Sequence, residues 1–403
     1  MTTPIQIGML VSPSSAAAQA GLGSDEAASS GFGSEATFKA LVRYYNKQGG
    51  LGGRRIVPVI YNANASNTSY EIDASAACAR FTQDYHVAAV ISATGDFWSD
   101  NYTSCLTKAR VPHLLLSFGS TDTKGFADNP SMFTTSTISV DARLTAMVQT
   151  MVAAKELRRG DTVGVIVEVC PFNERAYSRT LEPLAKREGL ILNRRDIDCI
   201  TGYSDAGKAI AQVQASVLPY STQAITKILP LSGWETSVVD FFEKQAQTQE
   251  YRPTYFVSSA AQMASQQSNF TASALGRIVG TGWMPTTDVA TDKPSPTTVG
   301  CRKILASEGI TAQNRADQYL VDASCDPFRY LDAALRASNG TTGQAVLTAA
   351  LESLGGRVPS SVTYGSSNGW GAQRHFAPQR ADLFRYQVGC SCFQYQSRPV
   401  LLP

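Results

Sequence analysis

From Ile5 onward the chain repeats one alternation, a short run of branched apolar residues followed by an amphipathic segment. That order constrains the fold more than any other feature. IQIGMLV at residues 5–11 reads as a strand, and Phe38, Leu41, Val42 and Tyr45 then fall at i, i+3, i+4 and i+7, one face of a helix ended by Gly49 and Gly50. RIVPVIYN is a second strand, residues 70–84 a helix with Ile72, Ala76 and Phe81 inward, and VAAVIS a third strand. A helix over 99–109 and the strand HLLLSF complete a βαβαβαβ order. Such an order makes a parallel sheet covered by helices on both faces.

The alternation then restarts. Residues 141–156 form a helix with Leu144, Val148 and Met151 inward, and Arg159-Gly160-Asp161 turns into the strand DTVGVIVEV. Helices over 177–188 and 206–217 alternate with the strands GLILNRRDI, AITKILPL, PTYFVS and GRIVGTGW. Residues 324–354 are expected to be mostly helical, and DLFRYQVG is expected as the final strand after the Gly/Ser-rich SSVTYGSSNGWG. With 403 residues the chain exceeds the ~250–300 at which a single core stops growing, so two doubly wound lobes are expected. One connection is anomalous: roughly 24 residues (12–35) separate the first strand from its helix, where ~2–6 are usual. It reads either as a flexible insertion or as a ligand-covering loop, since ligands of open α/β sheets bind beyond the carboxyl ends of the strands.

Composition excludes several classes. Apolar residues make up 43% and charged residues 17%, which is globular rather than disordered. A net charge of +2 without basic runs argues against a nucleic-acid partner. The longest apolar stretches, such as residues 87–91 and 113–116, fall far short of the ~18 residues of a membrane-spanning helix. Eight cysteines (Cys78, Cys105, Cys170, Cys199, Cys301, Cys325, Cys390 and Cys392) lack zinc spacing and read as disulfides or as buried thiols. His86, His113 and His375 stand isolated, so no metal is expected. Disulfides are favoured and imply export, although MTTPIQIGML has no basic leader. The expectation is a targeting segment removed and Met1 added.

The segments IQIGMLV, FKALVRYYNKQGGLGGRRIVPVIYN, AACARFTQDYHVAAVIS, VPHLLLSFGSTD and DTVGVIVEVCPFNERAYSRTL together resemble the type I periplasmic binding proteins, close to the leucine/isoleucine/valine-binding group of ABC transporters. The N-K-Q-G-G-L-G-G turn is the most specific piece, and the likeness in layout covers nearly the whole chain. The resemblance implies two lobes joined by three crossings, near residues 136–140, 279–283 and 363–370, with the ligand trapped between them. Lobe 1 would comprise 1–137 and 283–362, and lobe 2 would comprise 138–282 and 363–403. It also implies a disulfide between Cys78 and Cys105.

Binding positions carry over from the resemblance one by one. Phe32 falls where an aromatic lies over the ligand. Asp96, Phe97 and Trp98 occupy the loop after the third strand, acidic and aromatic here where relatives are Ser/Thr-rich. Ser117, Phe118, Gly119, Ser120 and Thr121 form the loop after the fourth strand, whose N–H groups and hydroxyls take a carboxylate. Phe172, Asn173 and Glu174 follow GVIVEV, and Trp234 follows the next strand. Where amino-acid binders place an acid after PTYFVS, this chain has Ser258, Ser259, Ala260, Ala261 and Gln262. A buried ammonium without a carboxylate is costly, so simple amino acids are disfavoured and a bulkier or aromatic carboxylate is expected.

The enzyme readings are weak. Gly365–Gly369 matches G-x-S-x-G but lacks a strand-to-helix elbow, and Gly49, Gly50, Gly52 and Gly53 follow a helix rather than a strand. Asp96 and Asp100 suit helix capping better than paired acid–base work. The expectation is therefore a monomeric, non-catalytic, extracytoplasmic binding protein without cofactor that delivers a small molecule to an ABC permease. A receptor ectodomain of the same fold and a cytosolic enzyme with buried thiols are the rivals.

Overall fold

The computed structural model describes residues 3–11, 33–63, 70–93, 100–116, 121–201, 205–290, 293–366, 368–396 and 398–402. The first sheet contains β1 (Ile5–Val11), β2 (Ile56–Asn62), β3 (Ala89–Ser92), β4 (His113–Leu115) and β5 (Met132–Thr134). Their order is β2-β1-β3-β4-β5, parallel throughout. The side-chain period of two sorts β1 cleanly: Ile5, Ile7, Met9 and Val11 enter one core and Leu10 enters another. Gly8 is required because a Cβ there would stand 2.9 Å from the Phe81 ring. In the turn before β2, Gly50 adopts φ +86° with the Arg54 carbonyl 1.9 Å from where a Cβ would be, so no other residue fits.

The second sheet contains β6 (Thr162–Glu168), β7 (Ile191–Ile197), β8 (Lys227–Leu231), β9 (Thr254–Ser258), β10 (Ile278–Gly282), β11 (Arg380–Gln387), β12 (Cys392–Tyr395) and β13 (Val400–Leu401). It runs β12-β11-β10-β9-β8-β6-β7, with β13 on β11. Strands β6 to β10 are parallel, whereas β11 is antiparallel to β10, β12 and β13. The expected two doubly wound layers are present. The second carries an antiparallel margin, because DLFRYQVG is followed by two further strands rather than ending the chain.

The expected helices form, with one correction. In Tyr70–Ala79, Ile72 is 59% exposed and Ala76 also faces solvent, while Ala74, Ala77, Cys78 and Phe81 are buried. Two restraints set that rotation. Asp73 is drawn inward to accept a 2.8 Å bond from the Tyr61 hydroxyl, and Cys78 is bridged to Cys105 of the next helix, Asp100–Lys108. The remaining cysteines pair as Cys170–Cys199, Cys301–Cys325 and Cys390–Cys392. The first three close loops with sequence separations of 27, 29 and 24, worth about 3.5 kcal/mol each in the chain-entropy model.

Helices Pro296–Ser307, Arg315–Ala337 and Gln344–Glu352 return to the first sheet, where Leu305, Phe328, Leu331 and Leu351 join Ile7, Met9 and Phe38 in one core. The chain therefore passes between the layers after β5, after β10 and before β11. Hydrogen bonds lash these passages together. Buried Trp283 donates from its indole to Ser136 O (2.8 Å) and accepts at its carbonyl from Tyr364 N (2.7 Å). Trp370 donates its indole N–H to Thr134 O at 3.0 Å. Buried Asp288 accepts from Ser259 Oγ (2.8 Å), Met284 N (2.8 Å) and Tyr395 Oη (2.7 Å).

Burial holds the Asp288 carboxyl well above its ordinary value, up to about 7, against those hydrogen bonds, which pull it down. Between pH 3.8 and about 7 the folded protein keeps a proton here that the unfolded chain has released. Stability from this group is therefore lost as pH rises through that window. Urea unfolding across pH 4–8 is expected to show a shallower fall toward neutral pH for Asp288→Asn than for the parent chain; parallel profiles would contradict it.

Candidate ligand-binding cleft

The carboxyl ends of β4 in the first sheet and of β6, β8 and β9 in the second carry a connected polar array. It begins after β4, where Thr121 O accepts from Val140 N at 2.8 Å, joining this loop to helix Val140–Ala153. Ser139 caps that helix by accepting from Ala142 N (3.1 Å), and Arg143 follows in its first turn. The Arg143 side chain is only 5% exposed. Its Nη1 donates to Ser232 O at 3.2 Å and lies 3.0 Å from Glu235 Oε1. Glu235 also accepts from Ser258 N (2.8 Å) and Ser258 Oγ (2.8 Å). Burial raises the Glu235 carboxyl above its ordinary value, and the Arg143 charge opposes that rise.

A second buried carboxylate, Glu168 at the end of β6, accepts from Ser232 Oγ (2.9 Å), Gly233 N (3.1 Å) and Ile200 N (3.1 Å). Burial raises it too, against these donors. The Trp234 indole N–H lies against the same carboxylate without reaching hydrogen-bond geometry. Both acids thus spend their acceptor capacity on protein donors. Glu168 also stands beside Cys170 and Cys199, but those sulfurs are bonded to one another and hold no metal.

What this array leaves unpaired is informative. Among the described residues, Thr121 Oγ1, Arg143 Nη2, Asn173 Oδ1 and the Trp234 indole N are buried without a hydrogen-bond partner. Buried polar groups are nearly always paired, so these atoms stand out along the array. Across this region Asp122 receives Arg175 through two bonds, Nε–Oδ2 at 2.5 Å and Nη2–Oδ1 at 3.0 Å, while also capping Thr123–Asp128 by accepting from Gly125 N (2.8 Å). Asp122 lies between β4 and β5 of the first sheet and Arg175 belongs to Pro171–Ala176 after β6, so this pair spans the two layers.

The expected site residues distribute as follows. Phe32, Asp96, Phe97, Trp98, Ser117, Phe118, Gly119 and Ser120 lie outside the described residues, as does residue 12–32 of the long first connection. Thr121, Asn173 and Trp234 belong to the array. Asn173 is fully buried and donates from Nδ2 to Glu168 O at 3.0 Å. Phe172 is half-buried against the core beneath β6. Glu174 is committed to an ion pair with Arg194 of β7. Ser259 is fully buried among the crossings, bonded to Asp288 and to Trp283 N (2.7 Å), and Gln262 sits in a left-handed turn at φ 48°. Arg143, Glu168, Glu235, Asp122 and Arg175 were not anticipated. Arg143 and Glu235 each occupy the first turn of a helix following a strand.

A family model described as periplasmic binding protein matches residues 4–390. No protein of curated function matches the chain by sequence. Among solved structures, a solute-binding protein of an ABC transporter from Rhodopseudomonas palustris BisB5, in complex with 3,4-dihydroxybenzoic acid, superimposes with TM-score 0.68 at 11% identity, covering 99% of this chain and 98% of its own. A solute-binding protein from R. palustris in complex with 4-hydroxybenzoate gives 0.69 at 13% identity, covering 100% and 98%. A branched-chain amino acid ABC transporter protein from Thermus thermophilus with bound valine gives 0.69 at 12% identity, covering 99% and 97%. These likenesses establish the same two-layered fold, and the family match spans nearly the full length: the chain belongs to the periplasmic binding protein family.

Proposed function

We propose that the protein is an extracytoplasmic, monomeric solute-binding protein that captures a small carboxylate-bearing molecule between its two layers and presents the closed form to an ABC permease. The observation that carries the ligand class is Arg143 Nη2, a buried guanidinium nitrogen without a partner beside the ends of β8 and β9. Glu235 already counters the Arg143 charge, so what Nη2 offers a guest is a charge-assisted donor, and a planar guanidinium suits a carboxylate oxygen. Of the two acids within reach of an α-ammonium, Glu235 has both oxygens engaged by Ser258 and Arg143, and Glu168 accepts from three protein donors. Trp234, half-buried against the second core, stands beside Glu168, and the reading takes it as an aromatic contact that favours an aromatic or bulky acid over a free amino acid. The bound aromatic acids of the R. palustris neighbours agree with that reading, and the bound valine of the Thermus neighbour marks its rival. The four disulfides support an oxidising, extracytoplasmic setting. The reading takes lobe 1 as 1–137 with 283–362 and lobe 2 as 138–282 with 363–403, closing about the three passages.

Thermal unfolding with panels of hydroxybenzoates, amino acids, amides and sugars tests the ligand class. A ligand at 100 times its Kd adds about 2.7 kcal/mol and moves the midpoint visibly. An aromatic carboxylate is expected to stabilise the protein, and Arg143→Gln to weaken that ligand at least tenfold by calorimetry. Glu235→Gln combined with it avoids an uncompensated buried acid. A best ligand that is neutral or zwitterionic, bound equally well by Arg143→Gln, would overturn the reading.

The Asp122–Arg175 pair yields a further expectation. Charge-assisted hydrogen bonds contribute about 1.5–3 kcal/mol when well formed, and Arg175 is 28% exposed, which places this one toward the lower end. Arg175→Ala is expected to expand the ligand-free protein in solution scattering and to weaken ligand binding roughly five- to tenfold. Unchanged scattering and affinity would show that the pair does not bias closure.

A further inference from the structure

Three of the four disulfides tie together distant points of the chain, and the fourth does not. Cys390–Cys392 has a sequence separation of 2 and lies in the turn that joins β11 to β12. It is also the bridge that solvent reaches. Cys390 is exposed, whereas every other cysteine is buried or half-buried. The turn stands out from the protein, with Val388 81% exposed and Gly389 and Ser391 exposed beside it.

The surroundings of this bridge suit it to opening rather than to holding the fold. Ser391, between the two cysteines, adopts φ 50°, left-handed backbone that is costly for a residue with a side chain and that an open turn has no need to keep. So short a loop removes little entropy from the unfolded chain, so opening it costs the fold less than opening any of the other three. Exposed or locally strained bridges are the ones that thiols reduce most readily. Gln394 adds a chemical feature. It lies two residues beyond Cys392, on the same face of β12, and its Nε2 stands 3.5 Å from Cys390 Sγ and 3.7 Å from Cys392 Sγ. When one sulfur of a disulfide is attacked the other leaves as a thiolate, and an N–H donor already facing it stabilises that charge.

We propose that Cys390–Cys392 is a thiol–disulfide exchange site, at which an external dithiol opens the β11–β12 turn while both layers stay folded and Gln394 steadies the leaving thiolate. One thiolate of the dithiol attacks Cys390 Sγ, the exposed sulfur. A mixed disulfide forms, the Cys390–Cys392 bond breaks, and its electron pair leaves on Cys392 Sγ, which takes up a proton. The second thiolate of the reductant then attacks its own sulfur in the mixed disulfide, and Cys390 leaves as a thiolate and is protonated. The reductant ends as a disulfide and the protein as two thiols, with two electrons and two protons transferred. The released strand also touches the passages between the layers. β12 is the margin of the second sheet, and from it Phe393 O accepts from Ala290 N (3.2 Å) while Tyr395 Oη donates to Asp288 (2.7 Å). The site is independent of what the cleft binds.

The test equilibrates the full chain in graded ratios of reduced to oxidised dithiothreitol, followed by alkylation with iodoacetamide and mass-spectrometric mapping. Cys390 and Cys392 are expected to be alkylated together at a ratio at least tenfold below that needed for any other cysteine, with circular dichroism unchanged. Glutathione at the same thiol concentration is expected to leave most of the bridge closed, because the Cys392 thiolate displaces a monothiol from Cys390. Gln394→Glu, which sets an anion where the donor stands, is expected to slow opening at least fivefold, and Gln394→Leu to slow it less. A packing role for Gln394 would give the opposite order, since glutamate is the closer match in shape. Another bridge reduced first, all four lost in one step, equal opening by glutathione, or that opposite order would overturn the proposal.

Discussion

The two indole N–H groups of Trp283 and Trp370, each spent on a backbone carbonyl near the end of β5, are what make one molecule of two layers. A backbone carbonyl leaving the edge of a sheet must find a donor or lose several kcal/mol on burial. Here the donors come from the other two passages. The three connections are therefore a bonded unit, and a rotation between the layers is confined to torsions around it. Asp288 extends the unit to β9 and β12 through Ser259 and Tyr395.

The cleft follows a different economy. Burying Glu168 and Glu235 is unfavourable, and each is tolerated only because backbone and hydroxyl donors converge on it. Those donors come from the residues just after β7 and β8 and from the last residue of β9, where strands end and N–H groups are no longer used by the ladder. The same geometry that satisfies the acids fixes Arg143 and leaves one of its nitrogens without a partner. Side chains held this firmly form a preorganised array.

Much of this was legible in the sequence, and the omissions have causes. Strands buried on both faces announce themselves as apolar runs, so β1, β6, β8 and β9 were unmistakable. β5 has three residues and no run to detect, and β12 begins within a cysteine-containing turn. Ile72 misled because apolar spacing defines a helix face only when nothing else competes. Here a buried Asp73 and a bridged Cys78 turn the helix instead. Thr121, Asn173 and Trp234 were placed by the order of segments, whereas Arg143 lies in a helix whose other inward residues are plainly core. An arginine there looks like a solvent-facing residue until Ser232 and Glu235 are brought beside it.

The return of Pro296–Ser307, Arg315–Ala337 and Gln344–Glu352 to the first sheet has a consequence for how the molecule is made. Ile7 and Met9 share a core with residues as distant as Leu347 and Leu351, and the second sheet meanwhile waits for β11. Neither layer is closed by local neighbours, and neither is complete until more than three hundred residues are in hand. Topology of this kind slows acquisition of the native state, because long loops must close before their contacts repay the entropy lost. A growing chain of this sequence holds its apolar strands unsealed through most of its synthesis, open to being kept unfolded or to being captured by a chaperone.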